Sequence, residues 1–229
     1  MQTGHTGAVL DIDEAVNLTR TGDLWLFRGR TATDRAIRTL TNAPVNHVGV
    51  AIVIDDLPPL MWHAELSKKL LDQWSGGHHR GVQLHDLKQA LTQWRDVYGQ
   101  ASWLRQLAPE VGRAEENAAL RTVARLDGVS FPSTAKLASR WLRGRDAYVP
   151  RRKRGHRVRP EAAFCAEVVA ETLMEMGILL DDRKATWFDP GTFWSGAYLP
   201  VAEPWSYGGE VQVGPEPEGA APSSRTRWR

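Results

Sequence analysis

Val45-Asn46-His47-Val48-Gly49-Val50-Ala51-Ile52-Val53-Ile54 is the stretch whose reading decides the fold. It is rich in β-branched residues, and Asp55-Asp56 and Pro58-Pro59 stop it, which marks a strand closed by a turn. Period-two alternation places His47, Gly49, Ala51 and Val53 on one face and Val48, Val50, Ile52 and Ile54 on the other. The imidazole therefore stands beside small side chains, which predicts clearance for another element to approach. Leu60 to Leu66 reads as a second strand, antiparallel to the first, with Met61, His63 and Glu65 on one face and Trp62 and Ala64 on the other.

Outward from this hairpin, Leu24-Trp25-Leu26-Phe27 is a buried strand entered from the Gly22-Asp23 turn, Gly81 to Leu84 a short strand, and Gln100 to Leu107 a further one. Helices are predicted over Asp11–Thr19, Thr33–Leu40, Pro109–Leu126, Ser133–Leu142 and Pro160–Met176. The last has Pro at its start and Gly177 at its end. Adjacent strands with helices around them predict an α+β fold. Residues 1–20 form a helical lead-in, 21–207 a single domain, and 208–229, rich in Gly, Pro and Ser, a flexible tail.

The chain has 229 residues, 42% of them hydrophobic and 24% charged, with a net charge of +2, which suits a globular protein and names no polyanionic partner. One cysteine excludes an internal disulfide and a Cys-rich zinc site. No basic flank followed by an apolar run opens the sequence, and no stretch reaches the roughly 18 apolar residues of a membrane helix. The expected location is cytoplasmic, or peripheral to a membrane.

That cysteine, Cys165, lies early in the last helix, on a stripe with Val168, Val169, Thr172, Leu173 and Met176. Such a stripe is also how a small buried hydrophobe is placed. Near a helix start, the dipole favours a thiolate, and free backbone N–H groups can donate to an oxyanion. His47 is the candidate general base, and either His63 or Glu65 could orient it across the hairpin.

The matching segments, in order, are Gly22-Asp23-Leu24-Trp25-Leu26-Phe27-Arg28-Gly29, His47-Val48-Gly49-Val50, Met61-Trp62-His63-Ala64 and Phe164-Cys165-Ala166-Glu167-Val168-Val169. Together they resemble the permuted NlpC/P60 cysteine hydrolases, the papain-like branch that includes YiiX-type proteins and the lecithin–retinol acyltransferase group. The resemblance spans roughly Thr21 to Leu199 and thins between Gln89 and Arg159. Ala166 stands where the family often has Ser, and His63 where YiiX-like members carry Glu and acyltransferase-like members His. It implies a circularly permuted papain-like fold, with Cys165 as nucleophile, His47 as base and His63, with Glu65 in reserve, as orienting residue. The implied activity is hydrolysis or acyl transfer on an amide, ester or thioester, with a peptide, lipid or acyl substrate and no cofactor.

Arg157, Arg159, Phe164 and Trp187 are the candidate substrate-binding residues. Trp187-Phe188 and Phe193-Trp194 could form an apolar wall. From Arg140 to Arg159, Lys and Arg outnumber acidic residues nine to one. The run Arg151–Arg159 suits an anionic partner, a lipid surface ahead of a nucleic acid, because no aromatics are interleaved for base stacking. His78-His79 and His85 have no acidic or Cys ligand at metal spacing in the local sequence, so no metal site is expected there.

Overall fold

The computed structural model describes residues 9–30, 35, 43–130 and 160–214. Strands β1 (Val9–Leu10), β2 (Leu24–Arg28), β3 (His47–Ile52), β4 (Leu60–Glu65), β5 (Gly81–Asp86), β6 (Ala101–Arg105) and β9 (Val211–Val213) form one sheet. Its order is β1-β9-β6-β2-β3-β4-β5, and β7 (Leu107–Ala108) pairs separately with β8 (Ser206–Tyr207). The β1–β9 pair is parallel and the other pairs are antiparallel. Helices α1 (Ile12–Leu18), α2 (Leu87–Asp96), α3 (Arg113–Leu126) and α4 (Pro160–Glu175) complete a mixed α+β architecture. The predicted helices at 33–40 and 133–142 lie outside the described residues, apart from Arg35.

Strand register sorts the sheet into two faces. Leu24 pairs with Val50 and Leu26 with Val48, while Trp25 pairs with Gly49 and Phe27 with His47. On β4, Trp62 lies opposite Val50 and Met61 opposite Ala51. Val48, Val50, Ile52 and Trp62 therefore share the face covered by α4, where the Trp62 indole N–H donates to Thr172 Oγ1 at 3.0 Å. Trp25, Phe27, Ala51 and Met61 share the other face, against Leu87, Ala90, Leu91 and Trp94 of α2. Both faces are buried, so β3 and β4 expose none of their twelve residues as a polar edge would.

Three expectations change here. Leu87, Ala90, Leu91 and Trp94 follow i, i+3, i+4, i+7 spacing behind Asp86, whose carboxylate accepts the Gln89 N–H at 2.8 Å. This capped amphipathic helix was absent from the predicted elements. The tail also does not begin at Gly208: β9 pairs with β6 and β1, Val213 is buried, and Arg105 binds the Gly208 carbonyl at 2.7 Å. Likewise β1 joins the sheet, so the lead-in is not helical alone. Residues 215–229 lie outside the described set.

Candidate functional site

His47 begins β3 and points to the α2 face, where its ring packs 4.3 Å from Trp94 and 5.9 Å from Phe27 between centroids. The clearance beside Gly49 is taken by Met61, not by an approaching helix. A Cβ on Gly49 would lie 2.9 Å from Met61 Cγ. The element that approaches there is the neighbouring strand β4, and the cysteine helix α4 lies on the opposite face.

His47 Nε2 lies 3.0 Å from His63 Nδ1, His63 Nε2 lies 3.0 Å from His85 Nδ1, and His85 Nε2 lies 3.1 Å from Gln83 Oε1. All four residues are buried, His63 and Gln83 completely. Register explains the line: His63 pairs with Gln83, and Met61 with His85, so these side chains alternate onto one face of adjacent strands. Of the two candidates to orient His47, His63 is the one in hydrogen-bond contact. Glu65 sits beyond it, with Oε2 3.9 Å from His85 Nδ1 and Oε1 accepting the Tyr98 hydroxyl at 3.3 Å.

Burial disfavours charge on these imidazoles. It pushes His47 down to about 3. Burial, then His85 and His47, hold His63 well below the ordinary histidine range. Burial lowers His85 to about 4 against the opposing charge of Asp72, with His79 and His78 adding to the lowering. Each ring in the line is thus neutral near pH 7 and carries one proton, so the chain of bonds has one direction. Gln83 sets it. Its Nε2 faces the carbonyls of Glu65, Gly81 and Ser67 at 3.2, 3.4 and 3.5 Å, which leaves Oε1 as the acceptor toward His85. His85 then donates from Nε2, His63 from Nε2 and His47 from Nε2. The lone pair left over is on His47 Nδ1, which has no hydrogen-bond partner among the described residues.

Cys165 is wholly buried in the apolar layer of the α4 face. The described α4 begins at Pro160, so Cys165 lies beyond its first turn. Only the first four N–H groups of a helix lack intrahelical acceptors. The Cys165 N–H is consequently spent inside the helix, and the expected oxyanion role for it is corrected. Helix direction brings the sulfur toward the histidines all the same. Thr172 meets Trp62, which lies opposite Val50, and Ile178 meets Gly22, whose N–H bonds the Ala51 carbonyl. So α4 runs in the same direction as β3. Cys165 lies two helical turns before Thr172, about 10 Å at a rise of about 1.5 Å per residue. The distance from Val50 back to His47 is also about 10 Å. Cys165 and His47 thus come to the same end of the sheet from opposite faces, with no hydrogen bond between them among the described residues.

Phe164 is buried beside Cys165 in that layer. Trp187 is half-buried in the single helical turn Ala185–Trp187, with the Arg183 guanidinium 5.3 Å from its ring. Phe188 and Phe193 are completely buried and pack at 5.7 Å, so they form core and not an open wall. Arg157, Arg159 and the whole Arg151–Arg159 run lie outside the described residues.

The fold separates the histidines that adjoin in sequence. His79 Nε2 lies 3.4 Å from Asp72 Oδ2, in a group with Asp127, whereas His85 joins His63 and Glu65. Local spacing missed Asp72 and Asp127, because they arrive from outside the His78–His85 segment; Glu65 was named on the His63 face, but not as a neighbour of His85. Gln83 was missed as well. The only signal for it was its place on the same face of β5 as His85, two residues away.

No described helix is long and apolar enough to cross a membrane. No family model matches the chain, and no curated protein matches it. Among solved structures, the crystal structure of metalloprotein yiiX from Escherichia coli O157:H7, DUF1105, is similar at 14% sequence identity and a TM-score of 0.43. The likeness covers 69% of this chain and 66% of that one, just under two thirds of its length.

Proposed function

We propose that this chain is a thiol hydrolase or acyltransferase of the circularly permuted papain-like kind, acting on an amide, ester or thioester. The observation that supports this reading is the His47–His63 pair at 3.0 Å, whose direction leaves a lone pair on His47 Nδ1. A papain-like base needs one ring nitrogen oriented and the other free. The order of the segments, histidine strand before cysteine helix, supports the permuted arrangement.

In this mechanism the Cys165 thiol gives its proton to His47 Nδ1 as sulfur attacks the substrate carbonyl. The imidazolium so formed keeps its Nε2–H on His63 Nδ1. Collapse of the tetrahedral adduct passes the Nδ1 proton to the leaving group and leaves a thioester on Cys165. Water or a second acyl acceptor then attacks that thioester, again through His47. Because burial disfavours charge on His47, the imidazole rests neutral and acts as a general base in the transition state.

The test is a panel of activated ester, thioester and amide substrates, with mass spectrometry of the trapped acyl-enzyme. An adduct on Cys165, abolished in Cys165→Ala and reduced about 100-fold or more in His47→Ala, is expected. Turnover that persists unchanged in Cys165→Ala overturns the reading.

A further inference from the structure

We infer that His63 Nε2, His85 Nδ1 and a Glu65 carboxylate oxygen hold a divalent transition-metal ion of the zinc type. The ligand atoms of these three buried side chains all lie within 4.8 Å of one another, on one face of the adjacent strands β4 and β5. Two separations are fixed more closely: 3.0 Å between the imidazole nitrogens and 3.9 Å from His85 Nδ1 to Glu65 Oε2. Tetrahedral coordination at about 2.0–2.1 Å sets ligands about 3.3 Å apart, so small side-chain rotations convert one arrangement into the other. Two imidazoles and one carboxylate, with a fourth position for water, form a donor set that zinc favours over magnesium or calcium.

The surroundings also fit. A metal-bound histidine is held by a partner on its other ring nitrogen. Here His63 Nδ1 faces His47 Nε2, and His85 Nε2 donates to Gln83 Oε1. The third ligand is steadied by Tyr98, whose hydroxyl bonds Glu65 Oε1. The other group, Asp72, His79 and Asp127, differs: the Asp72 oxygens already accept the Leu84 and Ser75 N–H groups and the Ser75 hydroxyl.

Occupancy has a consequence for His47, and this part rests on the thiol reading. An ion on His63 Nε2 moves the single proton of that ring to Nδ1. His63 then donates to His47 Nε2, and the His47 proton shifts to Nδ1. Protons are conserved, but the lone pair on His47 Nδ1 is gone. Metal binding and base action at His47 are therefore mutually exclusive.

The experiment uses the full chain carrying Cys165→Ser, so that the thiol is not a competing ligand, stripped of metal with a chelator. Zinc is titrated calorimetrically, and cobalt(II) by its visible absorption. One ion per chain is expected, with a Kd of about 1 μM or tighter and cobalt bands of four- or five-coordinate geometry. Affinity should fall about 100-fold in His85→Ala and in Glu65→Gln, and persist in His79→Ala. Glu65→Gln keeps the shape of the side chain, and circular dichroism checks that each variant folds. Absence of stoichiometric binding overturns the site, as does binding unaffected by both substitutions, or lost in His79→Ala. None of these readouts depends on thiol activity. In the chain with Cys165 intact, stoichiometric zinc should slow acylation of Cys165 and leave the zinc-free rate intact. Zinc that binds without slowing it overturns the coupling alone.

Discussion

Gln83 and His85 stand two residues apart on β5, and the Gln83 amide oxygen accepts the His85 Nε2–H at 3.1 Å. Because the Gln83 nitrogen faces three backbone carbonyls, the amide cannot reverse without setting a donor against them. A single amide thus decides which nitrogen of a histidine two strands away carries the proton.

Gln83→Leu should therefore lower the acylation rate about 10- to 100-fold through loss of that direction, with substrate KM little changed. It also strands a buried donor on His85, for a stability loss of about 1–3 kcal/mol. Gln83→Glu offers an acceptor at the same place and should recover much of the rate. Nitrogen-15 NMR of the imidazoles reads the tautomers directly. A His47 tautomer unchanged in Gln83→Leu refutes the directional chain.

The hairpin, its register and the shared face of His47 and His63 were legible because alternation over a β-branched run has one physical solution. The place of Asp72 and Asp127 beside His79, and of Gln83 beside His85, was not. Asp72 and Asp127 come from a loop and a helix end outside the histidine segment, and Gln83 meets His63 only through β4–β5 pairing, which sequence distance does not reveal. The α2 helix was legible in principle. Leu87, Ala90, Leu91 and Trp94 keep helical spacing behind Asp86, whose carboxylate caps the helix directly at the end of β5. The side of the sheet taken by α4 was misjudged for a definite reason. Small residues beside His47 looked like room for a helix, and Met61 from the neighbouring strand fills that room.

Asp72 and Asp127 give the fold opposed pH dependences. Burial raises Asp72, but hydrogen bonds from the Ser75 hydroxyl, the Leu84 and Ser75 N–H groups and His79 outweigh it, so its carboxyl lies below its ordinary value. Burial first, then the Asp72 charge, pushes Asp127 up to about 6. Between about pH 4 and pH 6 the native chain holds a proton on Asp127 that the unfolded chain does not, so stability falls as pH rises through that window. Since Asp127 is only half-buried, solvent screening limits the fall to about 1 kcal/mol or less. The buried histidines impose the opposite trend over the same range, so the Asp127 share is read as a difference: urea melts of Asp127→Asn and of the native sequence should diverge by up to about 1 kcal/mol between about pH 4 and pH 6.

The strand β9 makes the segment after Tyr207 part of the sheet. Chains ending at Tyr207 and at Gly214 differ by the Gly208 carbonyl that Arg105 binds, the Glu210 carboxylate near Arg105, and the buried Val213. The shorter chain leaves Ser102, Trp103 and Leu104 as an unpaired edge and Arg105 short of partners. It should be less stable by about 2 kcal/mol or more, and more prone to aggregate, by thermal melting and light scattering. Equal melting temperatures for the two chains refute a structural role for β9.

Trp94 closes the histidine line from the α2 side, its ring 4.3 Å from His47 and 5.2 Å from His63. Trp94→Ala should cost about 3–5 kcal/mol, as large-to-small changes in cores do. Trp94→Phe should cost less, because it keeps a ring and removes an indole N–H that has no partner among the described residues. Either change admits water beside His47 and weakens the burial that holds it near 3. The His47 titration should rise toward the ordinary value of about 6.5, followed by NMR of its ring protons. The sign for stability follows from the same shift. A histidine whose native value is depressed binds fewer protons folded than unfolded, so stability drains away as pH falls from about 6.5 toward the native values near 3 and 4. Loss of stability should therefore begin below about pH 6.5 and level to a constant slope within about one unit, until the native values are reached, and Trp94→Phe should flatten that slope by the share that His47 contributes. A titration of His47 that stays below pH 4 in Trp94→Phe would show that strands β3 and β4, and not α2, exclude water from this ring.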